Sequence, residues 1–256
     1  MLAGESTLFE TRQVQRDGSS PSTEINLPLD CMVLKGGDWV QELQPGSGFT
    51  GILIRDEYKE ASRVIVEWFL KGTEATEVTE GTMEVDDMQP APFGNPFLDL
   101  PTGFVSTIRG LLILGNPGIG GQSSSFSYYS PSYLIVGKTV FLFVLLVLRL
   151  QARLTTIYQS RNSHLYYFAD NGVFLINLIP ELIATEFKSQ FHPSTWCLID
   201  SNQSLDTVPV FIQDLNLFIV QASSPRPHHF KWTKKATSPV RRYFMKPWTL
   251  SELYAG

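Results

Sequence analysis

Short apolar runs alternate with segments of helical spacing along this chain, and the alternation becomes regular after residue 104. Residues 110–114 read as a buried strand and residues 138–153 as the helix that follows it. The runs 165–169 and 173–176 bracket Asp170-Asn171-Gly172. Asn-Gly accepts the positive φ of a tight turn, so this pair predicts a β-hairpin. Residues 180–191 predict a helix with proline in its first turn. Two further strands are expected at 195–199 and 217–221, with a helical stretch over 208–215 between them. Strands separated by helices predict an α/β domain with a mainly parallel sheet.

The front of the chain is different. A polar tail covers residues 1–26 and reads as disordered. A strand at 50–55 and a helix at 57–70 lead to an acidic stretch and then to the loop-like Gln89-Pro90-Ala91-Pro92-Phe93-Gly94-Asn95-Pro96. The expected organisation is therefore a tail (1–26), a small α+β N-terminal region (27–104) and an α/β domain (105–256) that reads as truncated.

Candidate chemistry enters with Gly115-Asn116-Pro117-Gly118-Ile119-Gly120, directly after the strand at 110–114. These are the first six positions of G-x-x-x-x-G-K-[ST], in which backbone N–H groups cradle phosphates, the Lys reaches the β/γ-phosphates and the hydroxyl ligates Mg²⁺. The required Lys-Thr comes only at Lys138-Thr139, after 17 intervening residues, 121–137. Neither half suffices alone. Gly121-Gln122 would put no cation on the phosphates, and residues 132–136 before Gly137 have no leading glycine and read as a strand. The intervening block holds six serines, three tyrosines and no charged residue. Two origins fit it: a 51-nucleotide intron retained in frame, or a surface insertion, which loops accommodate at small entropic cost.

Trp196-Cys197-Leu198-Ile199 ends in Asp200. A buried strand that delivers a carboxylate beside such a loop is the Walker B arrangement, which makes Thr139 and Asp200 the expected Mg²⁺ residues. Ser201-Asn202-Gln203 follow in place of a glutamate that would activate water. The next strand leads to Ala222-Ser223-Ser224-Pro225-Arg226, where Ser223 or Ser224 is placed either to sense the γ-phosphate or simply to cap the turn. Arg226 reads as a surface salt-bridge partner. His228 and His229 are adjacent and would face opposite ways in a strand, so no metal site beyond Mg²⁺ is expected.

Bulk properties narrow the alternatives. The net charge of −5 argues against a general nucleic-acid binder, although residues 215–251 contain seven Lys and Arg and no acidic residue, whereas 72–88 are acidic. Cys31 and Cys197 are distant in sequence, and residues 1–26 lack the blocks of a secretory signal, which predicts an intracellular protein, in cytoplasm or nucleus, with reduced thiols. The apolar stretch 140–148 is nine residues long, against about 20 for a membrane span. It predicts a buried helix and no membrane association.

Taken together, the interrupted loop, Trp196-Cys197-Leu198-Ile199-Asp200-Ser201, Gln221-Ala222-Ser223-Ser224-Pro225-Arg226 and the tail Tyr243-Phe244-Met245-Lys246-Pro247-Trp248-Thr249-Leu250-Ser251-Glu252-Leu253 resemble the P-loop ATPase module of fungal Crinkler and retrotransposon-hot-spot-like proteins. The likeness covers residues 105–256 and is weaker from residue 50. It implies a P-loop NTPase-type parallel sheet with helices on both faces, and binding and hydrolysis of ATP with Mg²⁺. The site would comprise residues 115–120, Lys138 and Thr139 for the nucleotide, with Lys138, Asp200 and Ser223 in catalysis. Expected partners are a nucleoside triphosphate and other proteins or further copies of the chain. The alternative expectation is a non-catalytic interaction or regulatory fragment of such a protein.

Overall fold

The computed structural model describes residues 9–13, 30–34, 52–72, 94–101, 103–115, 137–178, 191–202 and 204–247. Near the front, β1 (Phe9–Gln13), β2 (Asp30–Leu34) and β3 (Ile52–Ile54) form a small antiparallel sheet. Helix α1 (Asp56–Lys71) follows β3 directly.

The main sheet has seven strands: β4 (Gly110–Leu114), β5 (Thr156–Gln159), β6 (His164–Ala169), β7 (Gly172–Asn177), β8 (Trp196–Asp200), β9 (Phe218–Ser223) and β10 (Val240–Phe244). Their order is β10-β4-β9-β8-β5-β6-β7. The first five are mutually parallel, and β6 and β7 extend the edge as the antiparallel hairpin expected around Asn171-Gly172. Gly172 turns at φ 144°, a backbone that favours glycine. The α/β class is thus present, with a mixed, mostly parallel sheet.

Helix α2 (Lys138–Gln151) explains the longest apolar run. Every residue from Val140 to Arg149 is buried, because the helix lies between the sheet and α1. A helix that is apolar all round is a core helix. Among the described residues, no helix is long and apolar enough to cross a membrane.

Helix α1 buries Tyr58, Ala61, Ser62, Ile65 and Phe69, one stripe at helical spacing, into the same core as α2 and the sheet. Phe69 meets Trp196 and Phe218 of β8 and β9, with ring centroids 4.9 and 5.0 Å away. The opposite sheet face packs Leu112, Cys197, Ile199 and Ile219 against Leu205, Val208, Ile212, Leu215 and Trp232. Ile212 belongs to the short helix α3 (Val210–Asp214), and Trp232 to a 3₁₀ turn, Lys231–Lys234.

Besides β1, which falls within the tail expected to be disordered, and β2, two strands of the main sheet escape a reading of the sequence. β5 is a four-residue Thr-Ile-Tyr-Gln whose ends are polar although all four residues are buried. In β10 two arginines interrupt the apolar run, and its place at the sheet edge leaves every residue partly exposed. The helix expected over 180–191 lies outside the described residues up to residue 190.

Candidate functional site

Three parallel strands end side by side. Leu114 of β4 pairs with Ser223 of β9, and Ala222 of β9 pairs with Asp200 of β8, so Gly115, Ser223 and Asp200 reach one edge of the sheet. The carboxyl edge of a parallel sheet is where open α/β folds bind ligands. Of the phosphate-loop residues expected from the sequence, Asn116, Pro117, Gly118, Ile119 and Gly120 lie outside the described residues, as does the block through residue 136. Gly115, Lys138 and Thr139 are described.

Helix α2 starts at Lys138, with Gly137 before it at φ 149°. Lys138 lies 23 positions beyond Gly115, yet its Nζ donates to the Gly115 carbonyl at 3.2 Å. Thr139 donates its hydroxyl to Asp200 Oδ1 at 3.1 Å across 61 positions. Gly115, the Lys138-Thr139 pair and the strand-end carboxylate therefore stand together, because both Lys138 and Thr139 occupy the first turn of a helix that packs on the sheet.

Electrostatics follow from burial. Asp200 is 8% exposed. Burial pushes its carboxyl above the ordinary carboxylate range, while Thr139, Asn202 and the Lys138 ammonium pull it down. Burial also lowers the Lys138 ammonium, against the opposing charge of Asp200. Each charge thus offsets part of the other's cost of burial.

A cleft of about 260 Å³ opens beside Lys138, between Gly115, Gly137, Pro225, Arg55 and residues 244–247. Its far wall was not legible in the sequence. Arg55 donates to the Pro247 carbonyl at 3.2 Å, and Glu57 Oε1 accepts the Tyr243 hydroxyl and the Lys246 N–H, both at 3.0 Å. Tyr58 hydrogen-bonds Gly137. These three residues come from the start of α1, and only the tertiary fold brings them to the edge. Their one sequence signal is that polar groups recur at the start of an amphipathic helix.

The remaining expected positions are differently occupied. Ser223 is buried and donates its hydroxyl to the Ser224 carbonyl at 2.9 Å, which closes the turn after β9. Arg226 is exposed. Asn202 accepts the Ser204 and Leu205 N–H groups and donates to the Ser160 carbonyl, so it builds the turn after Asp200. Ser201 Oγ accepts the Gln221 amide at 2.5 Å. The two histidines do not sit in a strand with opposed side chains. They occupy a turn after β9, their rings stack with centroids 4.3 Å apart, and both face Asp206.

No model of a known protein family matches the chain, and no curated protein is significantly similar to it.

Proposed function

We propose that the carboxyl edge of β4, β9 and β8 binds a nucleoside triphosphate with Mg²⁺, and that the chain is an ATP-binding and ATP-hydrolysing P-loop module, with helices on both sheet faces, similar to those of Crinkler and retrotransposon-hot-spot-like proteins. The observation that carries this reading is the convergence of Lys138 on Gly115 and of Thr139 on Asp200. A lysine and a threonine at the opening of a buried helix, beside a strand-end aspartate, are the side chains that hold phosphate and Mg²⁺ in a P-loop site.

The residues present fit Mg²⁺. Octahedral Mg²⁺ with bonds of about 2.0–2.1 Å has neighbouring ligand oxygens roughly 2.9 Å apart. Thr139 Oγ1 and Asp200 Oδ1 are 3.1 Å apart. When bound, Mg²⁺ would neutralise charge on the transferring phosphate. Lys138 would exchange the Gly115 carbonyl for phosphate oxygens, and its partly dry surroundings would strengthen that interaction. The first turn of α2 would contribute its N–H groups.

Binding without rapid turnover is favoured by one specific feature. Ser201 and Asn202, which follow Asp200, are engaged in hydrogen bonds that build the structure, and neither is a carboxylate able to take a proton from water. A regulatory, nucleotide-gated fragment therefore remains the second reading.

Fluorescent ATP titrations with and without Mg²⁺ test both, on the full chain and on a variant that lacks residues 121–137. Saturable, Mg²⁺-dependent binding that strengthens on removal of the block supports nucleotide binding. A folded deletion variant with no detectable affinity refutes it. Phosphate release separates the hydrolytic from the regulatory reading.

A further inference from the structure

A second cluster of charged and metal-binding side chains stands apart from Lys138 and Asp200. Asp206 lies in the loop after β8, and His228 and His229 lie in the turn after β9. Their donor atoms all fall within 4.8 Å of one another. Asp206 Oδ1 is 3.3 Å from His228 Nε2 and 3.4 Å from His229 Nδ1. In tetrahedral zinc sites, with bonds of about 2.0–2.2 Å, ligand atoms stand roughly 3.3–3.5 Å apart. Both separations are those of two ligands on one ion.

The state of His229 is an independent sign. The residue is 5% exposed, and neither ring nitrogen makes a hydrogen bond. Buried polar groups are nearly always paired, so a buried imidazole with no hydrogen bond at either nitrogen, one of them 3.4 Å from a carboxylate oxygen, requires an explanation. A metal bond at Nδ1 would supply a partner for one of the two nitrogens.

The site is also built. The His229 carbonyl accepts the Gln221 amide at 2.9 Å and the Thr207 hydroxyl at 3.2 Å, and Thr207 is the residue after Asp206. Gln221 is itself fixed, since its Oε1 accepts the Trp232 indole N–H at 2.6 Å. The backbones that carry both kinds of ligand are thus joined before any ion arrives. Solvent reaches the exposed side of Asp206 and His228, which leaves room for entry and for water in the remaining position.

We propose that Asp206, His228 and His229 bind one divalent transition-metal ion of the zinc class. Imidazole nitrogens favour zinc and its neighbours over Mg²⁺ and Ca²⁺, which take oxygen ligands. The ion would staple the loop after β8 to the turn after β9, and through Gln221 and Ser201 it would stiffen the strand end that carries Asp200. The proposal does not depend on the nucleotide reading.

Zinc titration of the chelator-stripped full chain, in competition with a chromophoric chelator, gives the stoichiometry and affinity. One equivalent should bind, and an excess of Mg²⁺ should not displace it. Asp206→Asn and His228→Ala alter exposed side chains, and each should weaken binding at least about tenfold, the lower bound for loss of even an outer partner. His164→Ala and His192→Ala should leave it unchanged. As a test free of variants, Zn²⁺ should protect His228 and His229 from acylation by diethyl pyrocarbonate, read by peptide mass spectrometry. Absence of zinc binding, unaltered affinity in both ligand variants, or unprotected histidines would each overturn the proposal, leaving Asp206 as an ion-pair partner of the histidines.

Discussion

The hydroxyl of Tyr58 bonds both ends of Gly137: it accepts the Gly137 N–H at 3.1 Å and donates to the Gly137 carbonyl at 3.2 Å. Gly137 immediately precedes Lys138 and has no side chain with which to cap α2. A tyrosine from α1 therefore holds the residue that precedes α2 at both its N–H and its carbonyl, and so fixes the point at which the helix begins. The phenol is itself fixed, with its ring fully buried and 5.4 Å from that of Phe141. The start of α2 is in this way held by a helix that precedes the main sheet in sequence.

Tyr58→Phe preserves the ring and removes only the hydroxyl, which leaves a partly buried N–H and C=O without that partner. The loss should be about 1–3 kcal/mol. Urea unfolding should show a lower midpoint at an unchanged m-value. An unchanged midpoint would mean that Tyr58 does not fix Gly137, and ATP affinity should then also be unaltered.

Lys138→Ala separates site from scaffold. Its ammonium is partly desolvated, with one carbonyl and the charge of Asp200 as compensation. Removal of one charge-assisted interaction with phosphate should weaken ATP binding by about 1.5–3 kcal/mol, at least tenfold. The thermal midpoint of the nucleotide-free chain should hold steady or rise. Equal losses of affinity and stability would instead make Lys138 a structural residue.

The contrast between Asp200 and Tyr58 shows what a sequence can reveal about this site. Asp200 is legible because a buried parallel strand writes itself as a continuous apolar run, and the residue after that run lies at the sheet edge. Leu111 to Leu114 mark Gly115 in the same way. Tyr58, Arg55 and Glu57 act through contacts between segments about 80 to 190 positions apart, and no local period encodes such a contact. β10 was hidden for a related reason: an edge strand beside β4 tolerates Arg241 and Arg242, so its pattern is that of a surface segment. The facing of His228 and His229 was not legible, because the opposed orientation of neighbours holds in a strand and the chain turns there.

Arg149 tests the core at the end of α2 remote from Lys138. Its guanidinium is fully buried, sits 4.3 Å from the Trp196 ring centroid, and donates to the Thr156 hydroxyl and the Thr155 carbonyl. Burial holds it well below its usual pKa. Arg149→Ala should destabilise by about 2–5 kcal/mol through the cavity left under Trp196. Arg149→Met fills most of that volume and removes the charge, so it should recover much of the loss. Chemical denaturation of the pair distinguishes the contributions: equal destabilisation would assign the role to the hydrogen bonds rather than to packing.

Asp200 gives a prediction whose sign is fixed by its surroundings. Burial raises its carboxyl above the value of about 3.9 expected in the unfolded chain. Between those two values the native state binds more protons than the unfolded state, so stability falls as pH rises through that interval. The contribution is fully present below the unfolded value and is gone once pH has passed the raised native one. At neutral pH the native chain therefore holds a costly carboxylate. Asp200→Asn should raise the thermal midpoint of the nucleotide-free protein at pH 7, and the difference from the parent should shrink as pH falls toward 4. The same variant should lose Mg²⁺-dependent nucleotide affinity, because the amide cannot neutralise the metal. Stability given up at a residue that binding requires is the expected mark of a functional site. A midpoint difference that does not change with pH would show that Asp200 stays ionised at no cost, and would remove this reason for regarding it as a functional carboxylate.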